Sequence, residues 1–522
     1  MRVVFSAQGE SLYVFEAVRK QFAQNYGVES CGFLVSDSLA YSRFIKQEPD
    51  FEKNGYQIIK EWEVTREKNR EPDLHKLRQY EEILGIDAGL FGAIVADRRL
   101  IMGFDCTYSQ DYGRRFTDDE LLSILGVAID QVEMVFEKIN PDLVVGFICV
   151  TLFDYLVYLF ARARGVRYLN IRPTRVLDRI IAASTLNDPS PEFITSYLKL
   201  RELGSEYKGT AEEYIRDVRR KSARYEGVVA PSAKPALSAD SSRKNPLVSL
   251  ARLINGYYSY KTSIAAEDNH VVDPIRATAF TTFINPLRAW LAKTNLSKKY
   301  LNINELSKLD YVFFPLHTEP EVSLLVYGRP YVNQLEVIRQ VALSLPVHMC
   351  LLIKEHPWMV GKRSLSWYEK LLNIPRVHLV KPDVEARKLI TDASMICVIT
   401  GSIALEGAIL GKPVITLGDG PFNALPNHMV RQCKNLRELP GLITHQLNNH
   451  HHDESELEAY ISTVFQMSES VSLYSVLLKK RNVFSPNKSE YGTEIEKLTR
   501  FLYQEARKPV DYDSGIPLAA RW

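Results

Sequence analysis

The 522-residue chain reads as an α/β protein: two Rossmann-like domains facing one another across a cleft, with a helical insertion between them and a helical C-terminus. Three observations carry this reading. Apolar, β-branched-rich runs of strand length alternate with helical patterns near both ends, as in parallel sheets joined by crossover helices. The middle of the chain changes character, with basic helical stretches and an Ala/Ser/Pro-rich segment. Finally, the chain is too long for one ordinary core. These features divide it into an N-terminal Rossmann-like domain (1–175), an insertion of helices and linker (176–304), a second Rossmann-like domain (305–435) and a helical tail (436–522).

In chain order, Arg2–Phe5 opens a sheet, Ser11–Tyr26 has helical spacing, and Gly32–Val35 is a short strand. The polar stretch Gln47–Tyr80 reads as a helical insertion and Phe91–Ala96 as a further strand. Asp118–Glu137 follows Thr117 as an amphipathic helix. Leu143–Ala161 is apolar enough to resemble a membrane span. However, Asn140-Pro141-Asp142 starts a strand at Leu143–Ile148, Thr151 and Asp154 form a capping box, and a carboxylate mid-span is costly. A buried strand and helix fit better, and Tyr168–Ile171 closes the sheet. Ala211–Tyr225 is a basic helix and Ala230–Asn245 a linker, while Leu247–Tyr260 and Ala277–Lys299 mix apolar, aromatic and basic residues. That mixture fits either a membrane surface or helices packed in the cleft or at a subunit contact. The second domain has strands at Tyr311–Phe314, Val347–Ile353, Val377, Met395–Ile399 and Val414. Its helices are Tyr331–Ser344, Asp383–Ala393 and Ser402–Leu410.

Composition narrows the function classes. With 46% hydrophobic and 25% charged residues the chain is ordinary globular protein, and a net charge of +2 gives no reason to expect nucleic acid. The six cysteines lack CxxC spacing, so buried thiols in a reducing compartment are expected. Met1–Ser6 is a strand rather than an apolar leader, which points to the cytoplasm.

Three corners of the second domain carry the chemistry. Each follows a strand of one sheet, so all share its carboxyl edge, where open α/β sheets bind ligands. Thr400-Gly401-Ser402 opens a helix, whose free N–H groups and positive dipole end suit phosphate. Gly401 allows close approach to the backbone, Ser402 either meets the ligand or caps the helix, and Glu406, one turn on, suits a ribose diol. In Lys354-Glu355-His356-Pro357, a phosphate would hold His356 protonated. In Pro315-Leu316-His317-Thr318-Glu319-Pro320-Glu321, two carboxylates and a histidine suit a nucleophile or base, the alternative being an exposed acidic turn.

These motifs, with Gly411-Lys412-Pro413 and Gly418-Asp419-Gly420-Pro421-Phe422, resemble the bacterial capsule- and surface-polysaccharide biosynthesis proteins that include the β-Kdo transferases. The resemblance covers about residues 305–430. It implies a GT-B-like glycosyltransferase moving a sugar, Kdo or another ulosonic acid among them, from a CMP-activated donor to a capsule or surface glycan or glycolipid. In that family a His-Pro motif holds the cytidylate phosphate, and a carboxylate in a Gln-x-x-x-Asp turn attacks the anomeric carbon. Here His317 stands where the pattern has Gln and Glu321 where it has Asp. The resemblance thus implies donor binding by Lys354, His356, Thr400, Gly401, Ser402 and Glu406. Glu321 is the reacting carboxylate, with Glu319 second and His317 beside them. Asp154 and Arg172–Arg175 would lie on the acceptor side. No cofactor beyond the donor is implied. One phosphate can be balanced by a histidine, a lysine and a helix terminus, and there is no clear Asp-x-Asp signature, so no metal is expected. A hydrolysing nucleotide-sugar epimerase and a non-catalytic capsule-assembly protein remain as alternatives. The expected location is the cytoplasm, with the inner membrane face as a contact surface.

Overall fold

The computed structural model describes residues 1–86, 89–101, 115–221, isolated positions between 251 and 279, 283–479 and 488–509. The Ala230–Asn245 linker and most of Leu247–Tyr260 lie outside them. The strands are β1 (Arg2–Ala7), β2 (Ser30–Val35), β3 (Gln57–Lys60), β4 (Leu143–Gly146), β5 (Arg167–Pro173), β6 (Arg179–Ala183), β7 (Tyr311–Pro315), β8 (Cys350–Lys354), β9 (Val377–Val380), β10 (Met395–Val398), β11 (Val414–Thr416), β12 (Val430–Gln432) and β13 (Glu469–Ser470).

They form the two sheets the alternation predicts. The first runs β13-β6-β5-β4-β1-β2-β3, parallel from β5 to β3 and antiparallel at β6 and β13. The second runs β12-β11-β10-β7-β8-β9, all parallel. Both are wound outward from the middle. The chain leaves β1 toward β3 on one side and then returns to β4 on the other; likewise it leaves β7 toward β9 and returns to β10. The reversals place a crevice between β1 and β4, and another between β7 and β10, at the carboxyl ends of the strands. Helices cover both faces of each sheet, so strands such as Val3-Val4-Phe5 and Leu351-Leu352-Ile353 are fully buried, as continuous apolar runs require.

Four expectations are corrected. Phe91–Ala96 is a helix, packed through Ala93, Ile94 and Ala96 near Leu152–Ala163; a six-residue apolar run does not distinguish the two states. The Gln47–Tyr80 stretch supplies β3 as well as helices. The first sheet extends past 175, because β6 turns back on β5. The tail also divides. Glu454–Met467 packs with Pro191–Leu203 and Lys208–Arg220 in a core shared with the second sheet, whereas β13 pairs with β6 and Lys488–Ala506 packs on Ser11–Asn25. Periodicity shows that a helix has an apolar face but not which core receives it.

The Leu152–Ala163 helix begins with the expected capping box, Thr151 accepting from Asp154 N while Asp154 accepts from Thr151 N. Among the described residues no helix is long and apolar enough to cross a membrane. The five described cysteines are buried and unpaired.

Candidate active site

The two crevices open into one cleft of about 1130 Å³. Gln8 and Gly9 after β1 and Phe147, Ile148, Val150 and Thr151 after β4 form part of one wall; Pro315–Thr318 at the end of β7 and Gly401-Ser402 after β10 form part of the other. The wall between them is tied down where the second domain's Val326 enters the first domain's core and Arg329 lies over the Tyr155 ring at 5.2 Å. Glu321 is the residue at the start of this tie, capping position of the turn Val322–Leu325.

Of the three carboxylates and histidines after β7, the structure separates the roles. Glu321 lines the cleft. Burial raises its pKa, opposed by Arg175, a hydrogen bond from Ser323 and Arg98. Glu319 turns the other way: it is 5% exposed, 3.0 Å from Arg363 Nη1 and hydrogen-bonded by the Gln334 amide. That engagement corrects its candidacy as a reacting group. His317 lines the cleft, but its Nε2 accepts from the Thr400 amide at 3.3 Å, joining the corners after β7 and β10. Burial, with Arg175, His356 and Arg363 nearby, holds its pKa down to about 3, so it is neutral at physiological pH.

Arg363, absent from any motif, organises this wall. Fully buried, it donates through Nε to Glu355 at 2.8 Å and through Nη2 to the His317 carbonyl at 2.7 Å, besides pairing with Glu319. Glu355 in turn accepts from Tyr368 OH at 2.8 Å and from the His356 amide at 2.7 Å. One buried cation therefore fixes the backbone of both the β7 and β8 corners.

Lys354, His356, Gly401 and Ser402 line the cleft together, as the expected phosphate pocket requires. Ser402, which precedes the helix Ile403–Ile409, makes no side-chain cap to it. The protonated state expected for His356 is tied to a phosphate beside its ring, whereas the protein's own groups favour the neutral form. Burial, Lys354, Lys362 and Arg363 lower its pKa to about 4, and its Nδ1 accepts from Trp358 N at 3.3 Å. Neutral His356 thus presents Nε2–H as a donor. Burial also lowers the Lys354 pKa, with Glu355 and Asp383 opposing. Thr400 is used differently: its hydroxyl donates to Ser323 O at 3.0 Å, and its methyl fits against Gly328 and Gly418. Glu406 is half-buried and lies outside the cleft lining. Gly401 is required by packing as well, since a Cβ there would stand 3.0 Å from Val398 Cγ2 and 3.4 Å from His317 Cε1.

On the opposite wall Asp154 is 1% exposed and saturated by donors: Ser6 Oγ at 2.5 Å, Val150 N and Thr151 N at 3.0 Å, and the Gln8 amide. It supports the β1/β4 crevice and does not face it. Behind Thr151 lie Glu61 and Asp97, both ion-paired to Arg99 at 3.0 and 2.9 Å. Burial pushes Glu61 up to about 8 despite Arg99, with Asp154 and Asp97 adding to the rise. Arg172 is buried and committed to Asp188 at 2.6 Å and to the carbonyls of Thr185 and Leu186 at 3.0 and 2.7 Å. Arg175 differs. Half-buried at the cleft wall with φ 65°, it makes no hydrogen bond or ion pair among the described residues, and its charge acts on Glu321 and His317 across the cleft. Among the described residues no three His, Cys, Asp or Glu side chains converge as a metal cage.

Sequence reasoning missed Arg363, Arg98, Arg99 and Glu61. Arg175 was expected on the acceptor side, and its influence on Glu321 was not foreseen. The signal for the first was a lone arginine after the His356 corner, which nothing local distinguishes from a surface residue.

Residues 277–426, less than a third of the chain, match the family described as capsule polysaccharide biosynthesis protein. Among curated proteins no sequence relative reaches a significant match. Solved structures with a similar course include two of KpsC from Thermosulfurimonas dismutans. Its β-Kdo 2,7 transferase is 13% identical, with 66% of this chain and 83% of that one covered, at a TM-score of 0.37. Its β-Kdo 2,4 transferase is 12% identical, covering 62% and 79% at 0.32. The UDP-GlcNAc 2-epimerase of Neisseria meningitidis is 12% identical, covering 89% and 98% at 0.27. These likenesses are too distant to bear on substrate or mechanism.

Proposed function

We propose, for a chain whose residues 277–426 match the capsule polysaccharide biosynthesis family, that the cleft is the active site of a glycosyltransferase using a CMP-linked sugar, an ulosonic acid such as Kdo, with a surface glycan or glycolipid as acceptor. The observation that carries the proposal is that one cleft wall brings together Lys354, His356 and Ser402, side chains suited to phosphate, with the cleft-lining carboxylate Glu321.

Lys354 and the Nε2–H of His356 bind the donor phosphate, and Ser402 adds its hydroxyl. These donors stabilise the charge that the phosphate takes up when the bond to the sugar breaks. Glu321 is the reacting carboxylate. As a nucleophile its oxygen bonds the anomeric carbon while CMP leaves with the electron pair. An acceptor hydroxyl then displaces the carboxylate, which takes that hydroxyl's proton as it departs. As a base it takes the proton while the hydroxyl oxygen bonds the anomeric carbon directly and CMP leaves with the electron pair. Both roles need Glu321 ionised. Arg175 and Arg98 serve this from the far wall, and their charge suits the carboxylate of an ulosonic sugar in the same cleft. The reaction as drawn uses protein cations where a diphosphate donor often calls for a divalent ion.

A thermal-shift comparison of CMP, UDP and GDP with their sugars tests the donor. The right nucleotide at a hundred times its Kd should stabilise the protein by about 2.7 kcal/mol. A larger response to UDP or GDP than to CMP overturns the donor assignment. Incubation of the responding sugar without acceptor then separates transfer from epimerisation.

A further inference from the structure

The helix Asn285–Leu296 packs on its domain with its small face. Ala289, Ala292 and Leu296 are buried, and Ala289 lies against Gly361, at the end of the loop that carries His356 and Trp358. Gly361 has φ +83°, and a Cβ there would stand 2.8 Å from Asn285 O, so helix and loop meet backbone to backbone. The large apolar side chains point away. Phe283, Leu287 and Trp290 are 69%, 56% and 59% exposed, and their spacing of four and three residues places them on one stripe. A helix whose partner is its own core shows the opposite arrangement.

The stripe runs on into charge. Lys293, Lys298 and Lys299 are exposed, and residues 274–304 hold five basic residues (Arg276, Arg288, Lys293, Lys298, Lys299) with no Asp or Glu. A second copy meeting this face symmetrically would set Lys293, Lys298 and Lys299 of one copy against the same lysines of the other. An anionic lipid surface takes both halves of the pattern. Tryptophan and leucine enter the headgroup boundary, and lysines reach the lipid phosphates.

We propose that the exposed stripe Phe283–Leu287–Trp290, with Lys293, Lys298 and Lys299, docks this protein on an anionic membrane surface. The helix sits on the Pro357–Gly361 loop, so docking holds the cleft mouth beside the half-exposed Trp358 at that surface. The proposal is independent of the donor and of the reaction, and its test reads binding alone.

The test is co-sedimentation of the full chain with vesicles of phosphatidylcholine, with and without phosphatidylglycerol. The protein should pellet with the anionic vesicles, less as salt is raised, and little with phosphatidylcholine alone. Leu287→Ala with Trp290→Ala should weaken vesicle binding by about tenfold, and Lys298→Ala with Lys299→Ala by about fivefold per lysine. All four positions are exposed, so circular dichroism and thermal unfolding should stay as in the parent. Absence of pelleting at low salt overturns the proposal, as do variants that pellet like the parent. A parent that ignores vesicles but forms a dimer broken by Leu287→Ala with Trp290→Ala assigns the stripe to a second copy, which also overturns it.

Discussion

Arg363 donates to Glu355 at 2.8 Å with both side chains withdrawn from solvent, at 0% and 1% exposure. A second carboxylate, Glu319, sits 3.0 Å from the same guanidinium. Removing one partner from a buried pair leaves the other uncompensated, at a cost of about 3–5 kcal/mol. Arg363→Ala should therefore lower stability to urea by about that amount, and more than Glu319→Gln, which leaves the Glu355 pair intact. Equal effects of the two substitutions would show that Arg363 does not act as a shared hub.

The separation of Glu319 from Glu321 gives a functional contrast. Both are carboxylates two positions apart, but one is engaged by Arg363 and Gln334 while the other lines the cleft. Loss of a reacting carboxylate costs orders of magnitude in turnover. Glu321→Gln should reduce kcat by about a thousandfold or more while the nucleotide still gives its thermal shift. Glu319→Gln should keep most of kcat and lose stability instead. If Glu319→Gln were the dead variant, the assignment of Glu321 would fall.

The same pair shows where the sequence was informative. The ends of β7, β8 and β10 were legible because each is a continuous apolar run broken by a motif, and a parallel sheet puts all such breaks on one edge. Which side chain then turns into the cleft was not legible. Glu319 and Glu321 are separated by a proline that hides the direction of the chain, and Glu319 is decided by Arg363, 44 positions downstream. Thr400 and Asp154 failed for the same reason: a hydroxyl and a carboxylate in the right place were taken up by Ser323 O and by four donors at the β1/β4 crevice. Glu61 and Asp97 came from stretches with no motif at all. Long-range partners decide availability, and local pattern does not carry them.

Arg175 provides a pH test. Burial raises the pKa of Glu321, and the charge of Arg175 is the largest influence opposing that rise. The reaction needs the ionised carboxylate, so activity should fall on the acid side as Glu321 takes up its proton. Arg175→Ala removes an opposing charge, raises the Glu321 pKa further and should move the acid limb of kcat/KM to higher pH. Arg175→Lys should restore part of the shift, because charge rather than the guanidinium shape acts at this distance. An acid limb unmoved by Arg175→Ala would mean that the limb belongs to another group.

The buried carboxylates behind the first crevice make stability itself depend on pH. Burial pushes Glu61 up to about 8 from an ordinary value near 4.5, so between those values the folded state holds a proton that the unfolded chain has released. A state that binds more protons is favoured at lower pH, and stability from this group therefore falls as pH rises from about 4.5 to about 8. Glu61→Gln mimics the protonated form, keeps an acceptor for Thr151 Oγ1 at the 3.2 Å contact, and leaves Arg99 paired with Asp97 at 2.9 Å. It should flatten the fall and make the variant the more stable protein near pH 8, while near pH 5 the two should differ little. Urea midpoints across that range measure this directly. A Glu61→Gln curve parallel to the parent would place the proton elsewhere in the cluster, on Asp154, whose pKa burial also raises.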